Sequence, residues 1–195
     1  MRYNLVSASS PKNIFHSFIS MNEGSGKSNK LKLTDITIRT NLLPGDIGYM
    51  IFLHGSLYQK EYEYGISFEC YVAEGLVEFY LQYDMDKDCI WICEHEHKTI
   101  GFLLLIHRPG NAAQLRYFLL EPECRGMGLG KKLMELFMQH LKNKRFSSAY
   151  LWTTHEQEAA ANLYKRFGFV LTDEKHSESF GKPLFEQKYE LQLKK

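Results

Sequence analysis

No stretch of this chain approaches the roughly 18 consecutive apolar residues of a membrane-crossing helix. The first 20 residues are broken throughout by Ser, Asn, Lys and Pro, unlike a secretory leader. Neither sign of charge dominates, because 24 basic and 23 acidic residues leave a formal net charge of +1. That balance disfavours nucleic acid as the main partner, and no membrane partner is expected. The four cysteines, Cys70, Cys89, Cys93 and Cys124, contain no C-x-x-C pair, and His95 and His97 complete no zinc spacing. They read as reduced thiols in a cytoplasmic protein without a metal. Cys89 and Cys93 are four apart in an apolar segment, so a strand there turns both to one face and into the core.

With 195 residues, 44% hydrophobic and 14% aromatic, the chain suits one well-buried domain rather than two. Residues 1–33 are polar and read as a flexible extension, which leaves 34–195 as the folded unit. Gly26-Lys27-Ser28 matches the end of a phosphate-binding G-x-x-x-x-G-K-[ST] loop, but Met21 stands where the first glycine belongs and no strand precedes it. The segment therefore reads as a linker. Met21 is also a second candidate start of translation, which the mass of the native product decides.

Hydrophobic periodicity marks out the elements. Thr34 to Thr40 alternates as a strand, and Pro44 opens a helix with Ile47, Ile51, Leu53, His54 and Leu57 along one side. A second helix runs from about Ser67, its cap, to Tyr83, with Phe68, Val72, Leu76 and Phe79 as a core stripe. Cys89 to Cys93 and Thr99 to His107 form a hairpin about the polar Glu94 to Lys98. Ala113 to Glu121 is a fourth strand, ended by Pro122, which has no N–H to give a ladder. A third helix, Gly128 to Asn143, packs Leu129, Leu133, Leu136, Phe137 and Leu141. A strand at Ala149 to Thr154, a helix at Gln157 to Phe167, and strands at Phe169 to Asp173 and Phe185 to Leu193 complete a mixed α/β fold of about seven strands and about four helices.

Between the fourth strand and the third helix lies Arg125-Gly126-Met127-Gly128-Leu129-Gly130-Lys131-Lys132. Alternating glycines let the backbone approach a ligand, and the free N–H groups and positive end of the new helix attract anionic oxygens. A diphosphate fits. A dinucleotide-binding G-x-G-x-x-G does not, because the third glycine comes one place too early.

The pattern Arg-x-x-Gly-x-Gly after Leu120-Glu121-Pro122 resembles the GNAT superfamily of acyl-CoA N-acyltransferases. So does the downstream run Ala159-Ala160-Ala161-Asn162-Leu163-Tyr164-Lys165-Arg166-Phe167-Gly168-Phe169. A finer likeness runs from about Ile36 to Leu193. Pro44-Gly45-Asp46-Ile47-Gly48-Tyr49, Leu53-His54-Gly55 and Phe68 to Leu76 look like the acetyltransferase half of two-part proteins that carry a MarR-type winged-helix DNA reader. The polar residues before Ile36 are too few for such a reader, so DNA binding is not transferred.

The resemblance implies a mostly antiparallel sheet, splayed between strands four and five, with acetyl-CoA as co-substrate. It implies coenzyme contacts from Phe118, Leu119 and Leu120 on the strand, from Arg125, Gly126, Met127, Gly128, Leu129, Gly130 and Lys131 in the cradle, and from Gln157, Ala160 and Tyr164. Gln157 stands where the family often has asparagine. Tyr164 would donate a proton to the departing thiolate, since a phenol with a pKa of about 10 can do so, and the Leu120 N–H would hold the oxyanion. Glu69 and Glu74 on the second helix are candidate bases, with His107 and His155 as further candidates at strand ends. Strand alternation sends Arg116 and Tyr117 to opposite faces, so one of them meets the acceptor, and an inward arginine would suit a carboxylate on it. Trp152 is of a type that packs in the core, and it is grouped with Arg116, Tyr117 and His155 as an acceptor-side residue.

The expected activity is transfer of an acetyl group to a primary amine of a small molecule or to a lysine side chain, by direct attack in a ternary complex. The variable stretches Glu61 to Ile66 and His176 to Lys182 would shape the acceptor pocket. Two alternatives differ in class. One is a non-catalytic acyl-CoA sensor. The other is an interaction module that forms a homodimer through exposed Tyr62, Tyr64 and Tyr80.

Overall fold

The computed structural model describes residues 31–193. Met21, the Gly26-Lys27-Ser28 run and most of the expected 1–33 extension lie outside the described residues. In chain order the elements are β1 (Thr37–Arg39), α1 (Asp46–Tyr62), α2 (Ile66–Leu81), β2 (Cys89–His95), β3 (Lys98–Arg108), β4 (Ala112–Leu120), α3 (Leu129–Asn143), β5 (Ser148–Thr154), α4 (Glu158–Arg166), β6 (Val170–Ser177) and β7 (Leu184–Gln192). The seven strands form one sheet in the order β1-β2-β3-β4-β5-β7-β6, with β4 and β5 the parallel pair.

Two apolar layers sandwich the sheet. Beneath α1 and α2, Met50, Leu53, Val72 and Leu76 pack on Ile90, Ile92, Phe102 and Leu104. Beneath α3 and α4, Leu133, Phe137 and Leu141 pack on Cys93, Leu103, Leu105 and Leu151. Leu133 and Leu141 are fully buried, and each such side chain contributes about 1.5–3 kcal/mol of transfer free energy. Cys89 and Cys93 face α3 together, as the even spacing requires. Burial pushes their thiols up to about 11 and about 12, so both stay protonated packing groups.

Several boundaries differ from the sequence expectation for local reasons. Leu33–Asp35 forms a 3-10 turn in which the Asp35 carboxylate accepts the Lys32 N–H at 3.0 Å, so β1 is shorter than Thr34 to Thr40. The N-cap of α2 is Gly65, and Ser67 sits inside the helix without capping it. Strand β6 continues past Asp173 to Ser177 because β7 pairs with it along that length. The β2–β3 turn places Glu96 and His97 at φ +48° and +64°, a two-residue reversal achieved without glycine. Arg39 ties β1 to its surroundings: its guanidinium grips Asp46 at 2.6 and 2.8 Å and Glu94 at 2.8 Å. No described helix is long and apolar enough to cross a membrane.

Candidate active site

Strands β4 and β5 pair from Ala112↔Ser148 to Leu115↔Leu151 and then part. Beyond that point β5 is held by β7 and β4 by β3, which opens a wedge at the C-terminal end of β4. A bulge shapes this wedge. Between Leu104 and Phe102 strand β3 advances two residues while its partners on β4, Arg116 and Leu119, are three apart. Tyr117 absorbs the extra residue with φ +52°, a left-handed conformation that a bulky residue adopts only under surrounding constraint. Arg116 and Tyr117 therefore do not alternate. Both turn to the α2 side, where each reaches the space above Gly75.

Past the bulge the ladder resumes. Glu121 N donates to Ile100 O at 2.9 Å, and bonded and unbonded pairs alternate along an antiparallel ladder. The Leu120↔Gly101 pair is thus the unbonded kind, and the Leu120 N–H points away from β3 into the wedge. Its carbonyl, on the same edge, accepts Arg125 Nε at 3.0 Å. Phe118 and Leu120 put their side chains on the α3–α4 face, whereas Leu119 is buried beneath α1 and α2.

The loop into α3 carries two forced glycine conformations, Gly126 at φ +74° and Gly128 at φ +98°. Gly128 is the N-cap, so no side chain closes the helix, and the N–H groups of Leu129, Gly130 and Lys131 begin it uncapped with no acidic residue in the first turn. A Cβ at Gly126 would meet nothing within 4 Å, and one at Gly128 would meet only Leu33 Cδ1 at 3.4 Å. The backbone here is bare and electropositive, which suits close approach of phosphate oxygens. Gly130 instead abuts Leu163 and Leu120. Arg125 holds Glu61 of α1 at 2.9 Å, an exposed pair worth at most about 1 kcal/mol. Lys131 is exposed, with Glu135 at 3.6 Å, and Met127 packs partly on the core.

A cavity of about 110 Å³ occupies the wedge. Tyr164 of α4 enters its wall, nearly buried, with ring centroids 6.3 Å from Phe118 and 6.4 Å from Tyr189. Burial raises its phenol pKa, so at neutral pH it is a proton donor and never a base. Gln157, the N-cap of α4, accepts from Thr153 Oγ1 at 2.5 Å and also lines the cavity, while Ala160 packs on the core behind it.

The far wall is aromatic. Gly65 N donates to Phe180 O at 2.8 Å, which joins the two expected pocket stretches, and Tyr64 donates to or accepts from Thr154 Oγ1 at 2.8 Å beneath them. Tyr64 is thus buried and Tyr62 half-buried; of the three tyrosines expected at the surface only Tyr80 is exposed. Trp152 is not a core residue: it lines the cavity half-buried, with Lys175 Nζ 4.8 Å from its ring centroid.

The expected bases lie elsewhere. Glu69 turns to α1 and lies against Gly55, and Glu74 is exposed; neither lines the cavity. His155 is exposed beside Phe185, whose N–H it accepts at 3.2 Å, and His107 pairs with buried Asp88 at 2.9 Å in a separate recess. Among the cavity residues that the sequence does not single out for the site, two carry titratable groups suited to proton transfer. Glu186 of β7 is the one carboxylate on the wall among the described residues, 3.4 Å from Lys175. His54 of α1 is fully enclosed by Tyr58, Phe102 and Tyr117. Its Nδ1 donates to Met50 O at 2.9 Å, and desolvation lowers its pKa to about 4, so it is neutral with Nε2 as the lone-pair nitrogen. Helical spacing marks His54 as part of a buried stripe; in the structure it meets Tyr117 of the bulge edge-on, with centroids 5.6 Å apart, and lines the cavity.

Among known proteins, the Acetyltransferase (GNAT) family profile matches residues 56–169, which include the wedge, the cradle and Tyr164. An uncharacterised N-acetyltransferase of Escherichia coli is 32% identical over 123 residues, covering 59% of this chain and 72% of that protein. One of Methanocaldococcus jannaschii is 26% identical over 58% of this chain and about half, 53%, of its own length. A GNAT-family acetyltransferase of Staphylococcus aureus shares the fold with TM-score 0.67 at 21% identity, over 82% of this chain and 99% of that one. A GNAT acetyltransferase of Elizabethkingia anophelis, solved with acetyl-CoA bound, does so with TM-score 0.57 at 16% identity, over 82% and 99%. With its profile spanning more than half of the sequence and its fold matching solved members, the chain belongs to the GNAT acetyltransferase family.

Proposed function

We propose that residues 34–195 form a single cytoplasmic catalytic domain that moves an acetyl group from acetyl-CoA to a primary amine, within the finer group that resembles the acetyltransferase half of MarR-type two-part proteins. The observation that carries this is the uncapped start of α3, reached through two left-handed glycines, beside a wedge that exposes the Leu120 N–H. When bound, acetyl-CoA supplies the activated thioester.

The chain's own groups divide the work. Backbone N–H groups from Gly126 to Lys131 hold the diphosphate. The Leu120 N–H donates to the carbonyl oxygen as negative charge builds on it, a contribution of about 3–4 kcal/mol in comparable sites. Tyr164 O–H gives its proton to the sulfur as the C–S bond breaks and the C–N bond forms. We assign to Glu186 the proton that the ammonium gives up, in place of Glu69 or Glu74. The test is thiol release from acetyl-CoA with a panel of amines, in the native protein and in Glu186→Gln. Amine-dependent release that falls at least tenfold in the variant supports the scheme. Release independent of amine would favour slow turnover by a sensor, and an unchanged variant would remove Glu186 from it.

A further inference from the structure

Among the described residues Arg39, Arg108 and Arg125 each pair with a carboxylate; Arg145, Arg166 and Arg116 do not, and of these three Arg145 and Arg166 are exposed to solvent while Arg116 lies at the cavity. It is half-buried, held 4.7 Å from the Tyr117 ring centroid and 5.4 Å from that of Tyr71, and donates to Tyr71 Oη at 2.9 Å. Beside it the Tyr117 hydroxyl is buried with no hydrogen-bond partner. Burial raises its pKa, so it remains an unused donor. Such a donor is costly to leave unmade, and a planar cation without a counter-ion in an aromatic wall is a poor packing element but a good anion receptor. The bulge itself aims both groups to one side, which alternation would have forbidden.

We propose that the acceptor is a small amine that also carries a carboxylate, seated with the carboxylate on Arg116 and the amine toward Tyr164 and Leu120. This rests on the acetyltransferase reading above. The cavity, about 110 Å³, has room for a molecule of amino-acid size. The Tyr117 ring beneath it and the hydrogen bond to Tyr71 Oη hold the guanidinium of Arg116 at the cavity wall.

The experiment compares matched pairs, amino acids and their carboxamide or decarboxylated counterparts, as acceptors in acetyl-CoA thiol release. Native protein, Arg116→Gln and Arg116→Lys are assayed, with acetyl-CoA affinity measured by calorimetry in each. The carboxylated member should be preferred in kcat/KM, and Arg116→Gln should lose about a hundredfold on that member alone, with Lys restoring part of it. Acetyl-CoA affinity should be unchanged. Equal use of both members, a preference that Arg116→Gln keeps, faster acetylation of lysine peptides, or no turnover of any pair by a protein that binds acetyl-CoA would each overturn the inference. Failure of the native protein to bind acetyl-CoA would instead overturn the acetyltransferase reading beneath it.

Discussion

Adding one methyl group at three helical glycines should move stability in three directions. Glycine to alanine inside a helix gains about 0.5–1 kcal/mol, because alanine loses less backbone freedom on folding. At Gly48 in α1 the new Cβ meets nothing within 4 Å, so the whole gain should appear. At Gly55 it falls on the Glu69 carboxylate, the free end of a flexible side chain that can swing away, and the change should be near neutral. At Gly75 in α2 it falls on Tyr117 Oη and comes within 3.0 Å of Arg116 Nη2. Tyr117 is 7% exposed and edge-on to His54, so it has nowhere to go. Overpacking costs about 1–3 kcal/mol, and against the helix gain the net loss is about 1 kcal/mol. For a chain of this size each kcal/mol is about 2–4 °C in Tm. Thermal unfolding of the three variants side by side should rank Gly48→Ala above native and Gly75→Ala below it by about that interval. Gly75→Ala should also raise the acceptor KM without weakening acetyl-CoA binding. If its Tm equals or exceeds that of Gly48→Ala, the packing of α2 on the bulge has been misread.

Two further outcomes are expected. Tyr164→Phe keeps the ring and its packing but removes the proton, so kcat should fall about 10²–10³-fold while the KM for acetyl-CoA stays within about twofold, measured by steady-state thiol release. Low pH should destabilise the fold through His54. Its folded pKa is about 4, against about 6.5 unfolded, so between those values the unfolded chain binds the proton and the native one does not. Stability from this group is complete above about pH 6.5 and is lost toward pH 4, by about 3 kcal/mol in all. Denaturant titrations of native protein and His54→Gln across that window should show a slope steeper in the native chain by about 3 kcal/mol in all, on top of the acid loss that both share through paired carboxylates such as Asp84.

The sequence makes the layers legible because each buries one regular stripe: the α3 leucines, the β3 run and the paired cysteines follow period 3.6 or 2 without interruption. The cradle is legible for the same reason, since its glycines answer to a local backbone need. What escapes is non-local. The bulge at Tyr117 arises from register between β3 and β4, and nothing in Leu115-Arg116-Tyr117-Phe118 marks it, so the shared face of Arg116 and Tyr117 and the approach of His54 are invisible to alternation. Glu186 reaches the cavity through the β5–β7 pairing, Thr154↔Glu186, across a separation no motif spans. Glu69 and Glu74 stand out in sequence as carboxylates on the acceptor-side helix, yet helical phase turns one to α1 and the other to solvent.

The most direct test of the cradle is calorimetric titration with acetyl-CoA and with S-acetylpantetheine, which lacks the nucleotide and diphosphate, in native protein and in Gly128→Val. A β-branched residue at φ +98° strains the loop and covers its bare backbone. The native protein should bind the full coenzyme at least tenfold more tightly than the truncated thioester, and the variant should lose that advantage while remaining folded. Equal binding of the two thioesters, or an undiminished advantage in Gly128→Val, would contradict the assignment of the α3 N-terminus as the diphosphate site.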